Sequence, residues 1–275
     1  MPIVIEAVSL ESYLLWLSSQ NSPLNPSLSP RVSWTKQLLT FPTSRGYHTS
    51  TPTPRLSRAE LKAIIVTPEQ HEVIIGCLLG DMCATRPEGN KRNTRLFFGQ
   101  SESNAAYLEE LFTLLSSLIR QHAPTPTRRV DKITGKLSTG FQFLTRSLPC
   151  LNLYREWFYP QGTKIVPTNI ADHLTDQGLA HWFMQDGSKT SDNGVTFATH
   201  CFTETERNLL IEVLSSKFGL NCTQQQMGGK KGQRALYVRR KSIPHLGPGL
   251  SQGQGFLELV RPYMHSSMLY KLPIK

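Results

Sequence analysis

Asp81 and Asp186 close two stretches of the same design. One reads Ile74-Ile75-Gly76-Cys77-Leu78-Leu79-Gly80-Asp81-Met82 and the other Leu179-Ala180-His181-Trp182-Phe183-Met184-Gln185-Asp186-Gly187. Each is an apolar helical run whose last turn ends on one acid. The aspartates lie 105 residues apart, and a lysine follows each at nearly matched distance, Lys164 after 83 residues and Lys271 after 85. An acid and a base repeated at matched spacing mark a duplicated unit. Two such units can close on one another about a pseudo-twofold axis, and the natural target of that site is itself twofold, as duplex DNA is.

The chemistry follows from where the helices must meet. Gly76 and Gly80 are four residues apart on one helical face and allow close backbone approach; Ala180, with Met184 four residues on, is the matching face of the second helix. Packing there brings Asp81 and Asp186 side by side at two helix C-termini. Two carboxylates so placed repel each other and face the negative ends of two helix dipoles, so divalent cations are needed to neutralise them. Carboxylate oxygens of Asp81 and Asp186, backbone oxygens of Gly80 and Gln185, water and substrate phosphate form a hard donor set suited to two or more Mg²⁺ ions. Such two-metal sites support in-line phosphodiester hydrolysis. A single aspartate would be read as merely ending its helix; the duplication favours the site. Lys164 and Lys271 would be ordinary surface charges elsewhere. Beside the metals they can orient the attacking water or stabilise charge developing on the phosphate.

The elements that must hold these residues begin at Thr67-Pro68-Glu69, a helix start with a capping hydroxyl, proline in the first turn and an early acid. Beyond Asp81, strands are expected over residues 82–86 and 94–100 across a Gly89-Asn90-Lys91-Arg92 turn. A Ser103-capped helix then runs to about Arg120, with Leu108, Leu111, Leu115 and Leu118 on one face. A hairpin over residues 128–145 and a short helix over 151–157 complete the unit. The second half repeats the order: a strand over 194–200, a Thr203-capped helix to Lys217, and strands over 221–227 and 234–240. Residues 247–255, rich in glycine, read as an inserted loop before the last helix. Each half therefore reads αββαββα, which divides the chain into an N-terminal extension, 1–66, and two repeats, 67–166 and 167–275.

The hairpins carry most of the positive charge. Candidate contacts to nucleic acid are Arg92, Arg95, Gln100, Arg128, Lys132, Lys136, Lys189, Lys230, Arg234 and Arg239. A two-stranded ribbon fits the major groove, where such side chains reach base edges, although most will meet phosphate. The net charge of +10 favours an anionic partner, and nucleic acid ranks ahead of a membrane because no apolar run is long enough to span one. Residues 60–275 hold 25 Lys+Arg against 18 Asp+Glu, so the excess is not confined to the N-terminus. Cys77, Cys83, Cys150, Cys201 and Cys222 are scattered without a C-x-x-C pair, as expected of reduced thiols in a non-secreted protein. His173, His181 and His200 are most simply structural. Residues 12–59 contain no acid and many prolines and hydroxyls, the composition of a loosely held segment. Arg45-Gly46-Tyr47-His48-Thr49-Ser50 is similar to the end of a mitochondrial targeting sequence. Glu6 and Glu11 are not, and an upstream reading-frame extension of an intron-encoded protein is the equal alternative.

On these residues the chain resembles the LAGLIDADG homing endonucleases, in the monomeric two-repeat form of organellar introns, over roughly residues 68–273. The second aspartate motif, followed by Gly187-Ser188-Lys189, the helix start Phe202-Thr203-Glu204-Thr205-Glu206, and the C-terminal Arg261-Pro262-Tyr263-Met264 and Met268-Leu269-Tyr270-Lys271-Leu272 carry the resemblance. It implies an α+β saddle of two antiparallel sheets on double-stranded DNA, with the LAGLIDADG helices at the repeat interface. It further implies metal on the motif aspartates and lysines at the places of Lys164 and Lys271 assisting catalysis. A mitochondrion is the implied location, with a chloroplast as the alternative, and host group I intron RNA is an alternative partner. Departures are His181 in place of the second motif's usual glycine, Gln185 at an often acidic position, and Leu79 where the name-giving pattern has Asp. They bear on helix packing, while both aspartates remain.

Overall fold

The computed structural model of the protein describes residues 56–86, 93–130, 134–135, 137–226, 233–243 and 255–273, all within one unit of contacts, Thr53–Lys275. The first element, α1 (Arg58–Ala63), falls inside the stretch assigned to the N-terminal extension. It forms because Ser57 and Glu60 close a capping box, and Leu61 and Ile64 lean on the core. Helix α2 (Pro68–Leu79) starts as its sequence dictates. The Thr67 hydroxyl accepts the Gln70 N–H and the Gln70 side chain accepts the Thr67 N–H, both at 3.2 Å. Strands β1 (Cys83–Thr85) and β2 (Arg95–Ser101), helix α3 (Ala105–Leu114), strands β3 (Thr125–Val130) and β4 (Leu137–Leu144) and helix α4 (Asn152–Phe158) complete the first repeat.

After a single turn, α5 (Ile170–His173), the second repeat runs α6 (Asp176–Asp186), β5 (Gly187–Lys189), β6 (Val195–Phe197), α7 (Glu204–Phe218), β7 (Cys222–Gln226), β8 (Arg234–Val238) and α8 (Phe256–Val260). Helix α7 opens on the Thr203–Glu206 capping box and closes on Gly219, whose φ of +67° suits glycine at a helix C-terminus. The sheets have the same antiparallel order, β1-β2-β4-β3 and β5-β6-β8-β7. The two repeats are thus one topology used twice, the α+β saddle expected from the sequence.

Register decides which face each strand residue takes. Phe98 opposes Phe143, and both are fully buried against Tyr107 and Phe112 of α3. The alternate residues, Phe97, Gly99 and Gln142, lie on the outer face. In the second sheet Phe197 packs on Trp182 and Phe183, while Thr196 and Ser188 pair outward with hydroxyls 2.9 Å apart.

The helix over 103–120 needs correction. A 3₁₀ turn, Glu102–Asn104, precedes α3, which stops at Leu114 and is followed by a second 3₁₀ turn, Ser116–Leu118. Ser103 does not cap it; its hydroxyl bonds that of Ser101 at 2.8 Å, an example of serine satisfying a neighbour instead of a helix end. The expected face, Leu108, Leu111, Leu115 and Leu118, is nevertheless fully buried. Of the glycine-rich loop only Gly255 is described, and the turn at 89–92 also lies outside the described residues. Among the described residues, no helix is long and apolar enough to cross a membrane.

Candidate active site

The two aspartates sit where α2 and α6 end side by side. The closest approach is between glycines: a Cβ on Gly76 would lie 2.0 Å from the Gly178 carbonyl oxygen, and one on Gly178 would lie 3.0 Å from that of Glu72. Gly178, not Ala180, is therefore the small residue that answers Gly76. Ala180 is fully buried two residues beyond Gly178, and the Met184 sulfur accepts the His265 N–H at 3.2 Å. Gly80 faces the Gln185 side chain. His181, at the place of the usual glycine, does not push the helices apart, because the contact it would have made is supplied by Gly178. Its ring is buried and its Nδ1 bonds the Tyr107 hydroxyl at 3.0 Å.

Asp81 is exposed at the end of α2 and Asp186 is half-buried at the end of α6. Burial, reinforced by the neighbouring Asp81 and opposed by Lys164 and Lys271, pushes the Asp186 carboxyl up to about 7. Gln100 donates from Nε2 to Asp81 Oδ2 at 2.6 Å and is itself held by Asn104 at 2.9 Å. It thus belongs to the aspartate cluster as well as to the wall of the hollow that opens beyond Asp81.

Both lysines reach the same place. Lys164 Nζ donates to the carbonyls of Gly80 (2.5 Å) and Met82 (3.3 Å), and Lys271 Nζ to those of Met184 (2.6 Å) and Gln185 (3.1 Å). A cation on the last carbonyls of a helix offsets its negative end. Burial lowers both ammonium pKa values, partly countered for Lys164 by Cys83, Cys201 and the two aspartates, and for Lys271 by the aspartates. Neither thiol was singled out from the sequence, since no spacing rule connects it to Lys164. The Gly80 and Gln185 carbonyls expected among the metal donors are engaged by these lysines, each retaining a second lone pair, while the Gln185 side-chain oxygen accepts the Asp81 N–H at 2.7 Å.

Beyond Asp81 opens a hollow of about 640 Å³ on the outer face of the first sheet, lined by Phe97, Gly99, Ser101, Arg129 and Gln142 among others. Arg95 alternates onto this face, and Arg129 pairs with Ser138 on it. Arg128 pairs with Thr139 and Arg129 with Ser138, and both arginines are exposed and line the hollow. In the second sheet Lys189 and Arg234 are exposed at strand ends on the register of buried Val195 and Leu236, and Arg239 is exposed just past β8. The outward register there carries Ser188, Thr196, Thr223 and Gln225. Arg92, Lys132, Lys136 and Lys230 lie outside the described residues.

Similarity to known proteins agrees with this geometry. The chain is 31% identical over 208 residues to the cytochrome b mRNA maturase bI2 of Saccharomyces cerevisiae, covering 73% of this chain but 46% of that protein. The chain thus spans less than half the length of that relative. It is 31% identical to the maturase of the same name from Debaryomyces hansenii, covering 74% and 73% of the two chains. It is 35% identical over 136 residues to the intron-encoded endonuclease ai4 of Dictyostelium discoideum, covering 49% and 78%. Among solved structures, the homing endonuclease I-WcaI bound to its DNA recognition sequence superimposes with a TM-score of 0.68 at 26% identity, over 80% of this chain and 94% of the other. Residues 71–246 match the LAGLIDADG DNA endonuclease family, and with paired aspartate helices beneath two like sheets the chain belongs to that family.

Proposed function

We propose that the chain is a site-specific double-strand DNA endonuclease that hydrolyses phosphodiesters at a long, imperfectly palindromic target and works as a monomer. The observation that carries this reading is the duplicated constellation: two aspartates at adjoining helix C-termini, each end bearing its own lysine ammonium. An RNA-binding role alone would not call for it. Asp81 and Asp186 would hold the divalent cations, with Mg²⁺ the best match to an all-oxygen donor set completed by water and phosphate. Two carboxylates with few other protein ligands suit that ion, which binds through one or two carboxylates and keeps its remaining positions for water and substrate. When bound, the metal supplies an activated water and charge stabilisation at the leaving oxygen.

The chain's own groups do the rest. Gln100 holds one Asp81 oxygen, and both residues line the hollow. Lys164 and Lys271, fixed at their helix ends, provide charge-assisted donors to the scissile phosphates. Arg95, Arg129, Gln142, Thr223 and Gln225 on the outer faces of the sheets would meet the grooves. The proposed location is a mitochondrion, with a chloroplast as alternative, in keeping with the acid-poor segment 12–59.

A second reading, assistance to splicing of a group I intron, draws on one observation: two relatives at 31% identity are named mRNA maturases. Incubation with a randomised duplex library and Mg²⁺, followed by deep sequencing of the products, separates the two. Cleavage of both strands at one pseudo-palindromic site is expected. Absence of cleavage together with tight binding of a structured intron RNA would replace the endonuclease with the maturase.

A further inference from the structure

Behind Asp81 runs a line of buried polar groups that neither the metal donors nor the lysines explain. Gln185 spans it. Its Oε1 accepts the Asp81 backbone N–H at 2.7 Å, and its Nε2 donates to Cys77 Sγ at 2.9 Å and to the Tyr107 hydroxyl at 3.0 Å. The Tyr107 oxygen in turn meets His181 Nδ1 at 3.0 Å. A backbone N–H can only donate, so the amide oxygen must face Asp81, and both Nε2 hydrogens are left for Cys77 and Tyr107. Tyr107, having accepted from Gln185, is free to donate to His181. Burial keeps the groups uncharged: it pushes the Cys77 thiol up to about 12 and the Tyr107 hydroxyl well above its usual range, and pulls the His181 imidazole down to about 4. The donors and acceptors therefore have one consistent arrangement, and a fully satisfied buried network of this kind is rigid.

The network is also one-sided. The residue before Asp186 is Gln185, from the second repeat, and it reaches the turn that carries the first repeat's aspartate. Its counterpart before Asp81 is Gly80, which has no side chain with which to reach back. Gly80 is in fact what leaves room: a Cβ there would lie 2.6 Å from Gln185 Oε1 and 2.9 Å from Gln185 Cβ. The two positions interlock across the pseudo-twofold as gap and plug.

Resting on the endonuclease reading above, we infer that Gln185 is a positioning residue for Asp81, through which the second repeat fixes the geometry of the first repeat's half of the site and not the reverse. The half of the reaction that relies more on the placement of Asp81 therefore depends on Gln185, and the other half does not.

Gln185→Leu in the full chain keeps most of the bulk and removes all three hydrogen bonds. Hydrogen exchange at single amides should show the Asp81 N–H opening about tenfold faster or more, the scale of one lost hydrogen bond, with the Gly187 N–H, bonded within its own helix, unchanged. On supercoiled plasmid bearing the library-selected target, the variant should slow one strand by about tenfold and collect as nicked circle. Because leucine can disturb folding, the interlock supplies a second measurement: Gly80→Ala should impair the wild type but add little in a Gln185→Gly background, where both the amide and the Cβ that a Gly80 methyl would meet are gone. Unchanged exchange at Asp81, equal slowing of both strands, or additive effects of the Gly80 and Gln185 substitutions would each overturn the inference. If the wild type cleaves no duplex at all, the endonuclease reading fails, while exchange at Asp81 and the Gly80–Gln185 cycle still decide whether Gln185 positions that turn.

Discussion

His181 stands at 2% exposure in the helix interface, and burial pulls its pKa from 6.5 to about 4. Between those values the unfolded chain binds a proton that the native state refuses. Its contribution to stability is therefore complete above about pH 6.5 and is lost as pH falls toward 4, amounting to at most ~3 kcal/mol. His181→Gln, which keeps a partner for Tyr107 but cannot titrate, should flatten the fall in unfolding free energy between pH 6.5 and 4.5, measured by urea denaturation across that range. Identical slopes in the two proteins would remove His181 from the acid sensitivity. At this scale the sequence reveals Asp81, Asp186, Lys164 and Lys271, because duplication repeats their spacing and the repetition is visible without any structure. Gln100, Tyr107 and Gln185 are different. Their partners lie across helices or strand ends, and no linear period marks an amide that will meet a backbone N–H 104 residues away.

Elements with local instructions are the legible ones. Thr67 and Thr203 announce their helices by capping boxes that need only four residues, and both form. Ser103 has Ala106 where the reciprocal acid or amide would stand, and it does not cap: its hydroxyl bonds Ser101 and the backbone enters the helix through a 3₁₀ turn. Strand register is non-local, so which of Phe97 and Phe98 enters the core is fixed only by the pairing of Phe98 with Phe143. The helix pair shows the same limit. Gly76 is legible as a point of close approach, but its partner is set by how α6 is offset along α2. Gly76→Ala tests the crossing: its Cβ would meet Gly178 backbone atoms at 2.0 to 2.8 Å, and backbone cannot step aside as a side chain end can. The substitution should destabilise the protein by about 1–3 kcal/mol, read as a lower urea midpoint with unchanged slope. An unaltered midpoint would mean the helices can separate without cost.

The whole molecule is one αββαββα unit used twice in a single chain, with a net charge of +10 and outward sheet faces rich in arginine, amide and hydroxyl groups. Duplication brings both halves of a twofold site into one chain, and subsequent divergence makes the halves unequal: Gln100 attends Asp81, while Gln185 also serves Asp81 and Gly80 serves as its socket. On the proposed endonuclease reading, charge and sheet faces would give affinity for DNA and the aspartates the chemistry. These two properties should therefore separate. Asp81→Asn and Asp186→Asn keep the side-chain shape and leave the basic faces untouched, so the direct measurement is cleavage and binding of the library-selected duplex by each variant with Mg²⁺ present. Cleavage is expected to fall by roughly a hundredfold or more, ~3 kcal/mol of barrier, while the dissociation constant for the duplex in a gel-shift titration stays within a few-fold of wild type. Cleavage by either variant at close to the wild-type rate would contradict a site built on the two aspartates.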